Sequence, residues 1–166
     1  NISSAAIGTI GLITDRYKKK LPLTTIDSIQ LHQILTSLYK KKIHYVCIET
    51  SSHGLEQNRV DKVKINTDAF TNFSHDHLDY HKTFDEYILA KKKFFDDLSS
   101  QAIAIINKDD KHGNTMLHHS KAIKRTFALR SIADYKCKII ENQFSGLHLN
   151  INGQEVYTKL IGSFNA

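Results

Sequence analysis

The densest collection of reactive side chains in the sequence is Asn72-Phe73-Ser74-His75-Asp76-His77-Leu78-Asp79-Tyr80-His81, which sets three histidines and two aspartates between His75 and His81. Carboxylates beside an imidazole suit a divalent cation, and an oxygen-rich set favours magnesium or manganese over zinc. The same residue types also serve as turn and capping groups, so the cluster by itself leaves both uses open. Glu49 is a second acidic candidate. It directly follows an apolar run at 43–48 and leads into Thr50-Ser51-Ser52-His53-Gly54. In open α/β sheets, ligands bind in the crevice outside the carboxyl ends of the strands. If the strands ending near Glu49 and His77 are parallel neighbours, both side chains emerge on one edge.

Lys91 is the third candidate, because of where it stands. Residues 83–98 read as a helix opened by a capping box, Thr83 with Glu86. Phe84, Tyr87, Ile88, Phe94, Phe95 and Leu98 recur at helical spacing and make an apolar stripe, with Lys91 in its middle. Lys92 and Lys93 point elsewhere. Two uses of Lys91 stay open on spacing alone. Its stem can pack while the ammonium reaches water. Alternatively the amine is partly desolvated and its pKa lowered. A neutral amine can add carbon dioxide to form a carbamate, which turns a cation into a metal-binding carboxylate.

Gly8-Thr9-Ile10-Gly11 resembles a glycine-rich turn but lacks the Lys-Ser or Lys-Thr ending of a phosphate-cradling loop. Lys82-Thr83 has no glycine-rich loop before it, and no complete phosphate-cradling loop occurs elsewhere, so ATP chemistry would require sequence upstream of residue 1.

These candidates need a scaffold. Helical and strand patterns alternate through the first two thirds, which predicts an α/β layered fold with a mostly parallel sheet flanked by helices. Residues 25–41 read as a helix with apolar Ile26, Ile29, Ile34, Leu35 and Leu38. Strands are expected at 43–48, 68–73, 102–106 and 126–129. The last third changes period: Leu147, Leu149 and Ile151 alternate with His148 and Asn150. Asn152-Gly153 is a strong hairpin signal, with 155–160 as the returning strand. A small antiparallel subsheet is therefore expected near the C-terminus.

Composition narrows the class. The chain has 166 residues, 40% hydrophobic and 24% charged, as expected for one globular domain. No apolar run approaches the roughly 18 residues needed to cross a membrane. The start has neither an initiator Met nor a signal-peptide pattern, and the expectation is a piece of a longer, cytoplasmic protein. Cys47 and Cys137 are too few for a disulfide framework, and Cys47, inside an apolar run, is expected to be a buried, reduced thiol. The formal charge of +6 comes with lysine clusters at 18–20, 40–42 and 91–93. They carry no interleaved aromatic stripe, so solvated surface is expected rather than a nucleic acid or membrane partner.

Several segments together resemble one family. Glu49-Thr50-Ser51-Ser52-His53-Gly54-Leu55, continuing through Gln57 and Arg59-Val60, is similar to the EVSSHGL…Q.RV segment of the muramyl-tripeptide ligases within the Mur ligase family. Phe70 to His81 resembles their FTNLSRDHLDYH segment, and Ala90-Lys91 with Phe95 their AAK…LF helix, whose lysine is carbamylated. Thr24-Thr25 resembles the TTP substrate loop, Ile106-Asn107-Lys108-Asp109-Asp110 the INxDD strand end, and Gly162-Ser163-Phe164-Asn165 the GxFN segment. The matches run in family order over nearly the whole chain. Three positions depart: Ile26 replaces the proline of TTP, His75 a common arginine, and Lys82 a glycine.

The resemblance implies a Mur ligase central domain at 1–166, incomplete, with the phosphate loop upstream and an amino-acid-binding domain downstream. It implies ATP-dependent addition of an amino acid, leaning to meso-diaminopimelate, to UDP-N-acetylmuramoyl-L-alanyl-D-glutamate through an acyl phosphate. Glu49 and His77 would ligate Mg2+, with carbamylated Lys91 supplying or positioning a further ligand; these three are the expected catalytic set. Thr24, Thr25, Ser51, Gln57 and Arg59 would hold the UDP-muramyl peptide, and Asn165 would approach the nucleotide. The alternatives are another Mur-type or folylpolyglutamate-type ligase, or an inert fragment that only binds substrate.

Overall fold

The computed structural model of the chain describes residues 3–73 and 84–166. His77, the stretch from His75 to His81 and the Thr83 half of the expected capping box lie outside the described residues. The chain divides into two compact units, Asn1–Lys64 with Glu86–Lys91, and Ile65–Asp85 with Lys92–Ala166.

The first unit holds β1 (Ser4–Gly8), β2 (Gly11–Thr14), β3 (Lys18–Lys19), α1 (Ser28–Lys40), β4 (Tyr45–Ile48) and α2 (Ser52–Glu56). Its sheet runs β3-β2-β1-β4, with β1 and β4 parallel and the other pairs antiparallel. Gly8 pairs with Gly11, so Thr9-Ile10 is the tip of a tight hairpin. The Gly-Thr-Ile-Gly stretch is thus a sheet corner and not a phosphate cradle.

Helix α1 begins later than its apolar pattern suggests, because Asp27 caps it by accepting a 2.9 Å hydrogen bond from the Gln30 amide. The stripe that faces inward is Leu31, Ile34, Leu35 and Leu38, at the i, i+3, i+4, i+7 spacing of one helix face. Ile26 is buried ahead of the helix, whereas Ile29 is 71% exposed. Two residues along a helix turn the side chain by about 200°, which puts Ile29 opposite Leu31.

The second unit holds β5 (Thr67–Phe70), β6 (Ile103–Asn107), α4 (Gly113–Leu117), β7 (Ile123–Ala128), β8 (Tyr135–Gln143), β9 (Gly146–Ile151) and β10 (Gln154–Thr158); α3 (Phe84–Asp96) contributes to both units. The sheet order is β10-β9-β8-β7-β6-β5. Strands β5 to β8 pair in parallel, and β8, β9 and β10 antiparallel. A parallel core followed by an antiparallel subsheet is the architecture expected from the sequence. The Asn152-Gly153 corner has φ of 51° and 92°, the left-handed pair that a two-residue hairpin requires. Buried Cys137, Leu147 and Leu149 form the subsheet's core.

Three expectations are corrected. Strands β4 and β5 do not pair with one another among the described residues: β4 pairs with β1 in one sheet and β5 with β6 in the other. An apolar run states that a strand is covered, not which strand lies beside it. Cys47 is exposed. Its strand is the last in its sheet, and its residues alternate between exposed and half-buried. Lys92 is not a solvated lysine. It is half-buried and bonds both Asp96 carboxylate oxygens at 2.6 and 2.7 Å across one helical turn. No helix among the described residues is long and apolar enough to cross a membrane.

Candidate functional site

The residues expected to hold a substrate gather in the first unit around Thr25. Its side chain is 1% exposed. The Thr25 hydroxyl donates to the Glu49 backbone carbonyl at 3.1 Å and accepts from the Ser51 amide at 2.8 Å. Ser51 caps α2 by accepting from the Gly54 amide at 3.1 Å, which fixes the start of that short helix. Gly54 is required for space: a Cβ there would come within 2.6 Å of the Thr25 side chain. Ile26, standing where the resemblance has proline, is 1% exposed, so its packing anchors the loop that a ring would otherwise stiffen.

Arg59 completes the cluster. Its Nη1 donates to the Thr25 carbonyl at 2.6 Å, while Nε and Nη2 grip the Gln57 side-chain oxygen at 3.0 and 2.6 Å. These partners are neutral, and the ion pairs among the described residues involve Arg16, Lys62, Lys92 and His148 rather than Arg59. The guanidinium is therefore held rigidly by carbonyls while its charge stays unneutralised, a suitable condition for receiving an anion.

Glu49 sits at the end of β4 with its carboxylate turned onto the β1–β2 hairpin. Oε2 accepts from the Thr9 amide at 2.9 Å and the Thr9 hydroxyl at 3.0 Å. Thr9 Oγ1 lies 2.9 Å from Thr24 Oγ1. The carboxylate rides so close over Gly8 that a Cβ there would lie 2.5 Å from Oε2. Thr9 is the residue that the sequence reasoning missed. Its signal was the pair of glycines around a two-residue tip, read only as a turn.

Lys91 is half-buried on α3, and its Nζ lies 5.0 Å from the centroid of the buried Tyr87 ring. Lys91 falls in the same unit as Glu49. Among the described residues no group of three His, Cys, Asp or Glu side chains is placed to hold a metal ion.

The profile of the Mur ligase middle domain matches residues 1–166. The chain belongs to the Mur ligase middle-domain family. It is 46% identical over 143 residues to the UDP-N-acetylmuramoyl-L-alanyl-D-glutamate--2,6-diaminopimelate ligase of Parabacteroides distasonis, covering 86% of this chain and 29% of that protein. It is 43% identical over 143 residues to the same-named ligase of Cytophaga hutchinsonii, with the same 86% and 29% coverage. A solved structure of a ligase of that name superposes with a TM-score of 0.84 at 30% identity, covering 99% of this chain and 35% of that one. The Mur ligase domain described here spans about a third of the length of these relatives.

In the Mur ligase domain's second unit, the two aspartates after β6 act as staples. Asp109 accepts from three successive amides, Leu129, Arg130 and Ser131, at 2.7 to 2.8 Å. Burial pushes its carboxyl up, but the donors from Arg130, Ser131 and Leu129 outweigh this and hold it well below the usual carboxylate range. Asp110 accepts from the His112 amide at 2.8 Å and from the Phe73 amide at 3.2 Å, tying the exit of β5 to the turn after β6. Asn165 lies in a short 3-10 turn, Ser163–Asn165, where its side-chain amide donates to the Ile161 carbonyl at 2.7 Å.

Proposed function

We propose that the protein containing this domain is an ATP-dependent ligase that adds meso-diaminopimelate to UDP-N-acetylmuramoyl-L-alanyl-D-glutamate in peptidoglycan synthesis. One observation carries the reading: Thr25, Ser51, Gln57 and Arg59 join one hydrogen-bonded cluster that also takes in the Glu49 backbone. The names of the relatives support the substrate and the amino acid.

In this reading Thr24, Thr25, Ser51, Gln57 and Arg59 seat the UDP-muramyl peptide, with Arg59 against an anionic group. The γ-phosphoryl of ATP passes to the terminal carboxylate, giving an acyl phosphate and ADP. The amino acid's amine attacks that carbonyl, phosphate leaves, and the amine gives up a proton as the amide forms. Asn165 approaches the nucleotide. Glu49, with His77 and carbamylated Lys91, would hold Mg2+. Glu49 fits that role: it is exposed, and among the described residues its Oε1 is engaged only at 3.2 Å by the Thr9 hydroxyl. Bound Mg2+ would screen the repulsion between carboxylate and triphosphate and stabilise charge on the transferring group. Reaction in bicarbonate buffer supplies the carbon dioxide, and location of the compartment as cytoplasm follows from where ATP and the precursor meet.

The test is release of phosphate by the full-length protein with ATP, Mg2+ and the UDP-dipeptide. Turnover is expected with meso-diaminopimelate and is at least about ten-fold slower with L-lysine, which lacks the second carboxylate. Phosphate release that ignores the UDP-dipeptide would overturn the reading. Lys91→Ala is expected to abolish ligation, with no recovery on adding bicarbonate; near-normal activity would eliminate the carbamate.

A further inference from the structure

We infer that Thr9 is a positioning residue that orients Glu49 and couples it to the Thr24 loop, so that the cation and precursor positions of the proposed ligase act as one unit. The inference rests on that reading for the roles of Glu49 and Thr24, and adds a residue that neither the motifs nor the relatives' names assign.

The hydrogen bonds have a forced direction. A carboxylate only accepts, so the Thr9 hydroxyl, 3.0 Å from Glu49 Oε2, must give its single proton to Glu49. The opposite orientation would set two lone pairs against each other at that distance. With its proton committed, Thr9 Oγ1 can only accept at its 2.9 Å contact with Thr24, and so Thr24 is the donor there. The chain therefore runs Thr24 to Thr9 to Glu49. Each bond polarises the next, and a donor chain ending on a carboxylate is stronger than its separate links.

Two consequences follow. Oε2 takes both the Thr9 amide and the Thr9 hydroxyl, whereas Oε1 has only a 3.2 Å contact, longer than an ordinary O–H···O bond. The hairpin tip thus fixes the carboxylate with Oε1 as its less engaged oxygen, the one presented to a cation. Thr24, having spent its proton, offers lone pairs, and a precursor group at its hydroxyl must be a donor such as an amide N–H or a sugar hydroxyl. Gly8 makes this possible, since any larger residue would push Glu49 off the tip.

The test uses the full-length protein and two readouts independent of turnover. Mn2+ affinity is measured by electron paramagnetic resonance on the protein alone, and UDP-dipeptide affinity by calorimetry without ATP. Thr9→Val is expected to weaken Mn2+ binding about five-fold, and Thr24→Val, at a residue bonded to Thr9 and not hydrogen-bonded to Glu49 among the described residues, two- to three-fold, roughly the worth of one hydrogen bond. Thr9→Ser keeps the hydroxyl and is expected to recover most of the loss, and it also decides the matter if Thr9→Val does not fold. Thr9→Val is expected to weaken the precursor by a similar factor. Unchanged Mn2+ affinity in Thr24→Val, a Thr9→Ser that behaves like Thr9→Val, or a wild type that binds no Mn2+ would each overturn the inference. A wild type that binds Mn2+ but not the UDP-dipeptide would count against the ligase reading, while the Mn2+ comparison still judges Thr9.

Discussion

Arg59 shows how a single side chain can brace a scaffold and still suit the binding role proposed for it. Its three bonds to the Thr25 carbonyl and the Gln57 oxygen hold the guanidinium plane in place, yet leave its charge unmatched. Lysine keeps the charge but cannot reproduce the fork. Arg59→Lys is therefore expected to raise KM for the UDP-dipeptide about ten-fold or more with a smaller change in kcat, since in the proposed reading Arg59 serves binding and not the phosphoryl step. Steady-state kinetics on the full-length protein checks the split. Ser52 presents the opposite case. Its hydroxyl is buried, 1% exposed, and has no hydrogen-bond partner among the described residues. An unsatisfied buried hydroxyl costs stability, so Ser52→Ala is expected to be neutral or stabilising by up to about 1 kcal/mol. Denaturant titration that shows a loss of that size would mean the hydroxyl is satisfied in solution.

At the scale of elements, the second unit depends on a carboxylate that replaces missing backbone partners. Asp109 gathers the amides of Leu129, Arg130 and Ser131, and so fixes the connection between β7 and β8. Its folded pKa is depressed, so the stabilisation is complete above the ordinary carboxylate value of about 4 and fades as pH falls below it towards the folded value. Asp109→Asn is accordingly expected to lower Tm by about 2–5 °C at pH 7, and the gap from wild type should narrow as the medium is acidified below pH 4. A gap that widens with acid would contradict this assignment. The sequence marked Asp109 only through its motif, because a staple to residues twenty positions away leaves no local pattern. Elements with strong local rules were readable: the Asn152-Gly153 corner, the Ile34, Leu35 and Leu38 part of the α1 face, though not Leu31, and the Tyr87 to Phe95 face of α3. Strands β1 to β3 were not. Ser4–Gly8 has Ile7 as its one large apolar residue, and Lys18–Lys19 is a two-residue strand with both side chains exposed, so neither shows an alternation of residue types in the sequence. Pairing of β4 with β1 was hidden for the same reason, since the partner strand itself had not been seen.

At the scale of the whole molecule, the candidate residues divide between the two units. Thr24, Thr25, Glu49, Ser51, Gln57, Arg59 and Lys91 all belong to the first unit, and Asn165 to the second. Residue types and motif order located the first-unit cluster because short-range loops bring Thr25, Ser51 and Arg59 together within 34 positions of sequence. The division makes the proposed roles kinetically separable. Asn165 already spends its amide on the Ile161 carbonyl and belongs to a turn held by the Gly162 amide donating to Asn142 at 3.2 Å. Replacing it removes a side chain at the nucleotide's proposed position without touching any bond of the Thr25 cluster. Asn165→Ala is expected to raise KM for ATP about three- to ten-fold, the range for one or two lost hydrogen bonds. Calorimetry without ATP should give an unchanged affinity for the UDP-dipeptide. Arg59→Lys should show the reverse. In the double variant the two penalties should multiply, because sites that share no partner contribute independently. If Asn165→Ala instead weakened the UDP-dipeptide and spared ATP, the assignment of the GxFN segment to the nucleotide would be wrong.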